Sequence, residues 1–178
     1  MGRITLLHGV KKEEIRRYVI TPFHDKGLKA EARDHWEDKG VWRVAADELA
    51  TDIKQPEKSV LYVLAHSGRG VSFIAGGKDE KMEAGELVDY LIESGLPPKI
   101  LAIKIWACFS GVNGFAQEVK ARFLAAKKGY NPVVVGYNEA TCGVNDIAND
   151  PHKHVFEATL GGQRGALIGR ASQHRTHF

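Results

Sequence analysis

A histidine and a cysteine each stand where an apolar run stops. "VLYVLAHSGRG" (60–70) delivers His66, and "ILAIKIWACFSG" (100–111) delivers Cys108. A cysteine attacks acyl carbon as its thiolate, and a nearby imidazole takes the thiol proton and can hand it to a leaving amine. Acyl transfer also needs donors aimed at the developing oxyanion. Backbone N–H groups in tight turns of small residues supply them. "HSGRG" and "CFSGVNG" are turns of that kind, so the N–H groups of Ser67, Gly68 and Cys108 are the candidate donors. His8 in "LLHG" also ends an apolar run and is the rival base, while Cys142 has no such context and reads as inert.

Two residues far apart in the chain meet only if their strands are neighbours with ends at one edge of a sheet. "ITLLHG" (4–9) reads as a first strand and "KKEEIRRYVI" (11–20) as a short helix. The segment 21–56 is polar and aromatic, and only "ADELATDI" (46–53) suggests a helix in it. Strand 60–65 follows, and "VSFIAGG" (71–77) is expected to close a hairpin with it. Leu87, Val88, Leu91 and Ile92 mark a helix over 84–94, ended by "SGLPP". A strand over 100–107 leads to a helix over 114–127 that Asn113 can cap, with Phe115, Val119, Phe123 and Ala126 on one stripe. "PVVVGY" (132–137) is the next strand, and the tail holds strands around "HVFEATL" and "GALIG" before a polar end. Near-continuous Val/Ile/Leu strands alternating with helices predict a mainly parallel sheet covered on both faces, a three-layer α/β sandwich. In such sheets ligands gather at the carboxyl ends of the strands, where both His66 and Cys108 fall.

The order and spacing of these motifs resemble the clan CD cysteine peptidases: caspases, metacaspases, gingipains and the self-cleaving protease domains of bacterial toxins. "VLYVLAHSG" and "IKIWACFSG" fill the family's strand–His and strand–Cys slots. "MEAGELVDYLIESGL" fills the helix between them, and "NGFAQEVKARFLAAKKGYNPVVVGY" the helix and strand after. The resemblance covers about residues 60–137. It implies a caspase-like fold, Cys108 as nucleophile and His66 as general base and acid. The family carries Gly directly after its His; here Ser67 stands there and Gly68 follows. The stretch 136–151 matches the family's specificity region, in which Glu139 or Asp146 would favour a basic residue before the scissile bond. The toxin-type members are activated by inositol hexakisphosphate, for which Arg164, Arg170 and Arg175 with Lys127 and Lys128 are the candidate basic residues; no other cofactor is implied.

The bulk numbers bound these readings. The 178 residues suit one domain over 1–178, and 43% hydrophobic with 26% charged residues are globular values. A net charge of +3 does not call for nucleic acid. No apolar run approaches the ~18 residues of a membrane span. Two cysteines make no disulfide framework, and the N-terminus carries neither a cleavable signal nor a myristoylation motif. The expectation is a cytoplasmic chain, or a bacterial effector exported without a cleaved signal. Its partner would be a protein or peptide substrate, with no nucleic acid and no membrane. Two alternatives stay open: a catalytically silent caspase-like module that binds a protein partner, and a metal site built on His152, His154, His174 and His177. The sequence motifs of a tyrosine-phosphatase loop, a P-loop and a dinucleotide fingerprint are not met. Trp36, Trp42 and Trp106 read as core or half-buried aromatics.

Overall fold

The structure is a computed structural model and describes residues 14–34, 36, 40–77, 79–126, 129–141, 152–159 and 164–178. In chain order the elements are β1 (Arg16–Ile20), α1 (Lys26–Asp34), β2 (Trp42–Arg43), α2 (Leu49–Asp52), β3 (Ser59–Leu64), β4 (Ile74–Ala75) and β5 (Lys81–Met82). Then come α3 (Ala84–Glu93), β6 (Ala102–Trp106), α4 (Phe115–Ala125), β7 (Val133–Tyr137), β8 (Ala140–Thr141), β9 (His154–Ala158), β10 (Arg164–Arg170) and β11 (Arg175–His177).

Six strands form the central sheet in the order β11-β7-β6-β3-β1-β2. All its ladders are parallel except β11 on β7. The chain is therefore an α/β protein with a mainly parallel sheet. Every residue of β3 is buried, as expected of a strand covered on both faces. The units β3-α3-β6 and β6-α4-β7 step one way across the sheet, and β1-α1-β2 steps the other. Right-handed crossovers put α3 and α4 on one face and α1 on the opposite one. Accordingly α3 packs on α4. Trp36, two residues past α1, meets Tyr62 and Trp106 edge to face at 5.0 and 5.5 Å. The direction of winding reverses between β1 and β3, and this switch point opens a crevice beyond the strand ends.

The regular middle of the chain matches its reading: β3, α3, β6, α4 and β7 all stand where the patterns predicted them. The N-cap of α4 is Gly114 and not Asn113, which stands one residue earlier, although its Oδ1 accepts the Phe115 N–H at 3.0 Å. Three further expectations are corrected. Residues 16–20 are not helical. Tyr18, Val19 and Ile20 are consecutive, bulky and buried, and a position between two parallel neighbours overrides the helical charge pattern around them. The segment 71–77 does not form a hairpin with β3. Ile74–Ala75 pairs with Lys81–Met82 instead, and touches the β3 side only through one antiparallel bridge, His66 to Ala75. The polar end holds β11, which closes the sheet edge on β7. Trp36 and Trp106 are core residues, but Trp42 on the edge strand β2 is 55% exposed. The strand expected at 4–9, with His8, lies outside the described residues. Among the described residues no helix is long and apolar enough to cross a membrane.

Candidate functional site

Strands β3 and β6 are parallel neighbours in register, Leu64 opposite Trp106. His66 and Cys108 each lie two residues beyond that pair. The sheet thus brings both to one edge, on adjacent strand ends, beside the switch-point crevice.

The Cys108 end is tightly determined. The chain leaves β6 through a turn in which Ala107 N–H bonds Ile105 O at 2.9 Å. Phe109 then takes a left-handed conformation, φ 57°, at a cost of about 1–2 kcal/mol for a residue with a Cβ. Its ring is buried and carries the Arg69 guanidinium 5.0 Å above its centre. Ser110 is fully buried; its Oγ donates to Ile105 O at 2.9 Å and accepts the Tyr137 N–H at 3.0 Å. Gly111 donates to Tyr137 O at 2.8 Å, so close to β7 that a Cβ on Gly136 would lie 2.5 Å from Gly111 Cα. Backbone contact this close admits only glycine on both sides.

The His66 end is lightly held. His66 is exposed, and its backbone N–H and C=O pair with Ala75 at 2.8 Å each. Ser67 Oγ donates to Phe73 O at 3.0 Å and accepts from Asn113 Nδ2 at 3.2 Å. Asn113 therefore does two things: its Oδ1 accepts the first N–H of α4, and its Nδ2 tethers the histidine loop. The serine found where the resembled family has glycine is the other half of that tether.

The half-buried Cys108 thiol donates to Thr141 O at 3.5 Å, with Thr141 Oγ1 at 3.9 Å. Among the described residues no hydrogen bond joins Cys108 to His66. The N–H groups of Ser67, Gly68 and Cys108 make no hydrogen bond to protein among the described residues, so all three are free to donate. The Phe109 N–H is taken by Glu139 O at 3.2 Å. Glu139 thus sits beside the cysteine loop through its backbone, with a half-buried side chain. Asp146 and Cys142 fall outside the described residues.

Beneath this edge lies a cluster the sequence reading missed. Lys104, Tyr62 and Trp106 share one sheet face with Trp36. Lys104 Nζ donates to the Tyr62 hydroxyl at 3.2 Å. Burial, with Arg175 and Arg17 nearby, pushes the Lys104 amine down to about 7. Lys153 lies 4.9 Å over the Tyr62 ring and 5.2 Å over the Trp36 ring. Burial lowers its pKa too, the Tyr62 hydroxyl opposing and Lys104 and Arg17 adding to the shift. His177 is lowered by burial and by Arg175 and Lys104. Arg175 Nε is buried without a hydrogen-bond partner. Of the basic residues named from sequence, Arg175 belongs to this cluster. Arg170 is exposed on β10, and Lys127, Lys128 and the Arg164 side chain are outside the described residues. The signal for the rest was a lysine inside "AIKIW", an otherwise apolar strand.

His152 is exposed and His154 buried at the start of β9, while His174 precedes β11 and His177 ends it. Among the described residues no three His, Cys, Asp or Glu side chains converge as a metal site. No family profile matches the chain, and no curated protein is significantly similar to it.

Proposed function

We propose that this protein is a caspase-like cysteine endopeptidase that cleaves a protein or peptide substrate with Cys108 and His66. The observation that carries the reading is the in-register parallel pair β3–β6, with His66 and Cys108 at the same carboxyl edge and unpaired N–H groups beside both. His66 takes the Cys108 proton. The sulfur forms a bond to the scissile carbonyl carbon, and the carbonyl electron pair moves to oxygen, where the N–H groups of Ser67, Gly68 and Cys108 receive it. As the tetrahedral species collapses, the C–N bond breaks and His66 gives its proton to the leaving amine. Water, deprotonated by His66, then releases the acyl group from sulfur. Before any of this the thiol must leave Thr141, so the resting arrangement is a closed one.

Of the basic residues that an inositol hexakisphosphate activator would need, Arg170 is exposed on β10 and Arg175 is half-buried on β11.

One observation favours a second reading, a catalytically silent module that binds a protein partner through the same cleft. The thiol is hydrogen-bonded to Thr141 and not to His66. The pH dependence of iodoacetamide alkylation at Cys108, in wild type and His66→Ala, separates the two, with Cys142 as internal reference. The peptidase reading expects Cys108 to react well below the ~8.5 of a free thiol, and His66→Ala to remove that advantage. A Cys108 that is unreactive or indifferent to His66, with and without inositol hexakisphosphate, overturns it in favour of the silent module.

A further inference from the structure

A cavity of about 450 Å³ lies at the carboxyl ends of β1 and β2. Its floor is apolar, built from Ile20, Phe23 and Val44. Its charged lining is of one sign. Lys29 and Arg43 stand in its wall with His24, and no Asp or Glu lines it among the described residues. Lys29 and Arg43 are both exposed, so their charges face any ligand that enters. Deeper in, Thr21 Oγ1 is buried and has no hydrogen-bond partner. Carboxylates stand nearby without lining it: Glu80 accepts the His24 N–H at 2.8 Å and the Gly77 N–H at 3.3 Å, Asp25 accepts the Leu28 N–H at 2.8 Å, and Asp47 adds to the burial that raises the Tyr90 hydroxyl.

The cavity is joined to the dyad by packed backbone. His66 bridges Ala75, and the next residue, Gly76, lies so close to Phe23 that a Cβ there would sit 2.5 Å from the Phe23 Cβ. Strand spacing gives its distance from the cysteine. Two and a half strands at ~4.8 Å each put the cavity roughly 12 Å from the Cys108 strand, and an extended peptide covers that in about three to four residues.

Resting on the peptidase reading, we propose that this cavity is a remote subsite for an acidic side chain, about three to four residues from the scissile bond on the His66 side of the cleft. The carboxylate meets Lys29 and Arg43, the buried Thr21 hydroxyl donates to it, and its methylene groups rest on Phe23 and Val44. Charge complementarity of a partly exposed site is modest, so the preference for Glu or Asp at that position is about two- to five-fold.

The experiment profiles every cleavage site that the full chain makes in a complex peptide library, for wild type and for the Lys29→Glu/Arg43→Glu double variant. Both positions are exposed, so the variant keeps its core, and Thr21→Val provides a second, uncharged test. The expected result is enrichment of Glu and Asp at the remote position in wild type. The double variant should turn this to Lys and Arg while residues next to the scissile bond keep their preferences. A flat profile at that position, or an acidic preference unmoved by the double variant, overturns the subsite. If wild type cleaves nothing, the peptidase reading fails and binding decides the cavity alone. N-acetylglutamate is then titrated against the ¹⁵N-labelled chain. Shifts at Thr21 and Val44 that vanish in the double variant uphold an anion pocket, and their absence refutes it.

Discussion

The two strand ends that meet at the candidate site are built to different standards. Beyond β6, the cysteine loop is fixed by a buried serine, a left-handed Phe109 and a glycine-on-glycine contact with β7. Beyond β3, the histidine loop is more exposed, and one isolated bridge, one serine hydroxyl and the Arg69 guanidinium over Phe109 hold it. The contrast teaches which partner moves. In the proposed peptidase a nucleophile must meet its substrate in one geometry, whereas a base that shuttles a proton has to face first a thiol and then a leaving amine. Under that proposal the rigid loop carries the first role and the loose loop the second.

The contrast breaks most visibly at Gly136. Gly136→Val drives a side chain into the Gly111 backbone, and we expect a loss of about 3 kcal/mol or more in chemical denaturation, or an insoluble protein. Near-wild-type stability would mean that the cysteine loop is free to retreat. Next in size is a pH effect carried by β6 itself. Lys104 has a folded-state value of about 7 against 10.5 for the free amine. The unfolded chain therefore holds more protons between those values, and stability rises with pH across that window. Below it the amine is charged in both states and the full cost of burying it is present. Lys104→Met should stabilise the protein by roughly 2 kcal/mol at pH 6 and remove the rise of Tm between pH 7 and pH 10. A variant whose Tm keeps the same pH slope would assign that slope to other groups. The smallest effects give the sharpest comparison. Ser110→Ala leaves the Tyr137 N–H unpaired in the core and should cost about 1–3 kcal/mol. Ser67→Ala, in the loose loop, should cost under about 1 kcal/mol. Equal losses from these two serines would erase the distinction between the loops.

How much of this was legible depends on where each residue's constraint comes from. β3, β6 and β7 declare themselves because a strand covered on both faces must be apolar throughout, and α3 and α4 because one face of each is. The positions of His66 and Cys108 follow from those strands, so both could be placed at one edge before any coordinates. β1 was misread because "EEIRRYVI" mixes charge and apolar residues like a surface helix. Only its neighbours β2 and β3, distant in sequence, make it a strand. Thr141 could not be anticipated as the sulfur's partner, since nothing local to it points at Cys108. The tether between Ser67 and Asn113 was half visible: the asparagine read as a helix cap, but its second bond crosses between two loops. Lys104 stood in plain sight in an apolar strand, and its meaning needed Tyr62, Lys153 and Arg175 from three other segments.

The parallel register of the central sheet also has a consequence in time. Every ladder that brings His66 to Cys108 joins segments remote in sequence, Val60 with Ala102 and Leu64 with Trp106, and a parallel pair cannot form until the helix between them has been laid across the sheet. Loop closure must precede the reward of contact, which makes such pairing slow. During that interval the chain already carries the thiol and the imidazole, but apart from one another. The juxtaposition of the two side chains is thus an outcome of completed folding, absent from the nascent chain.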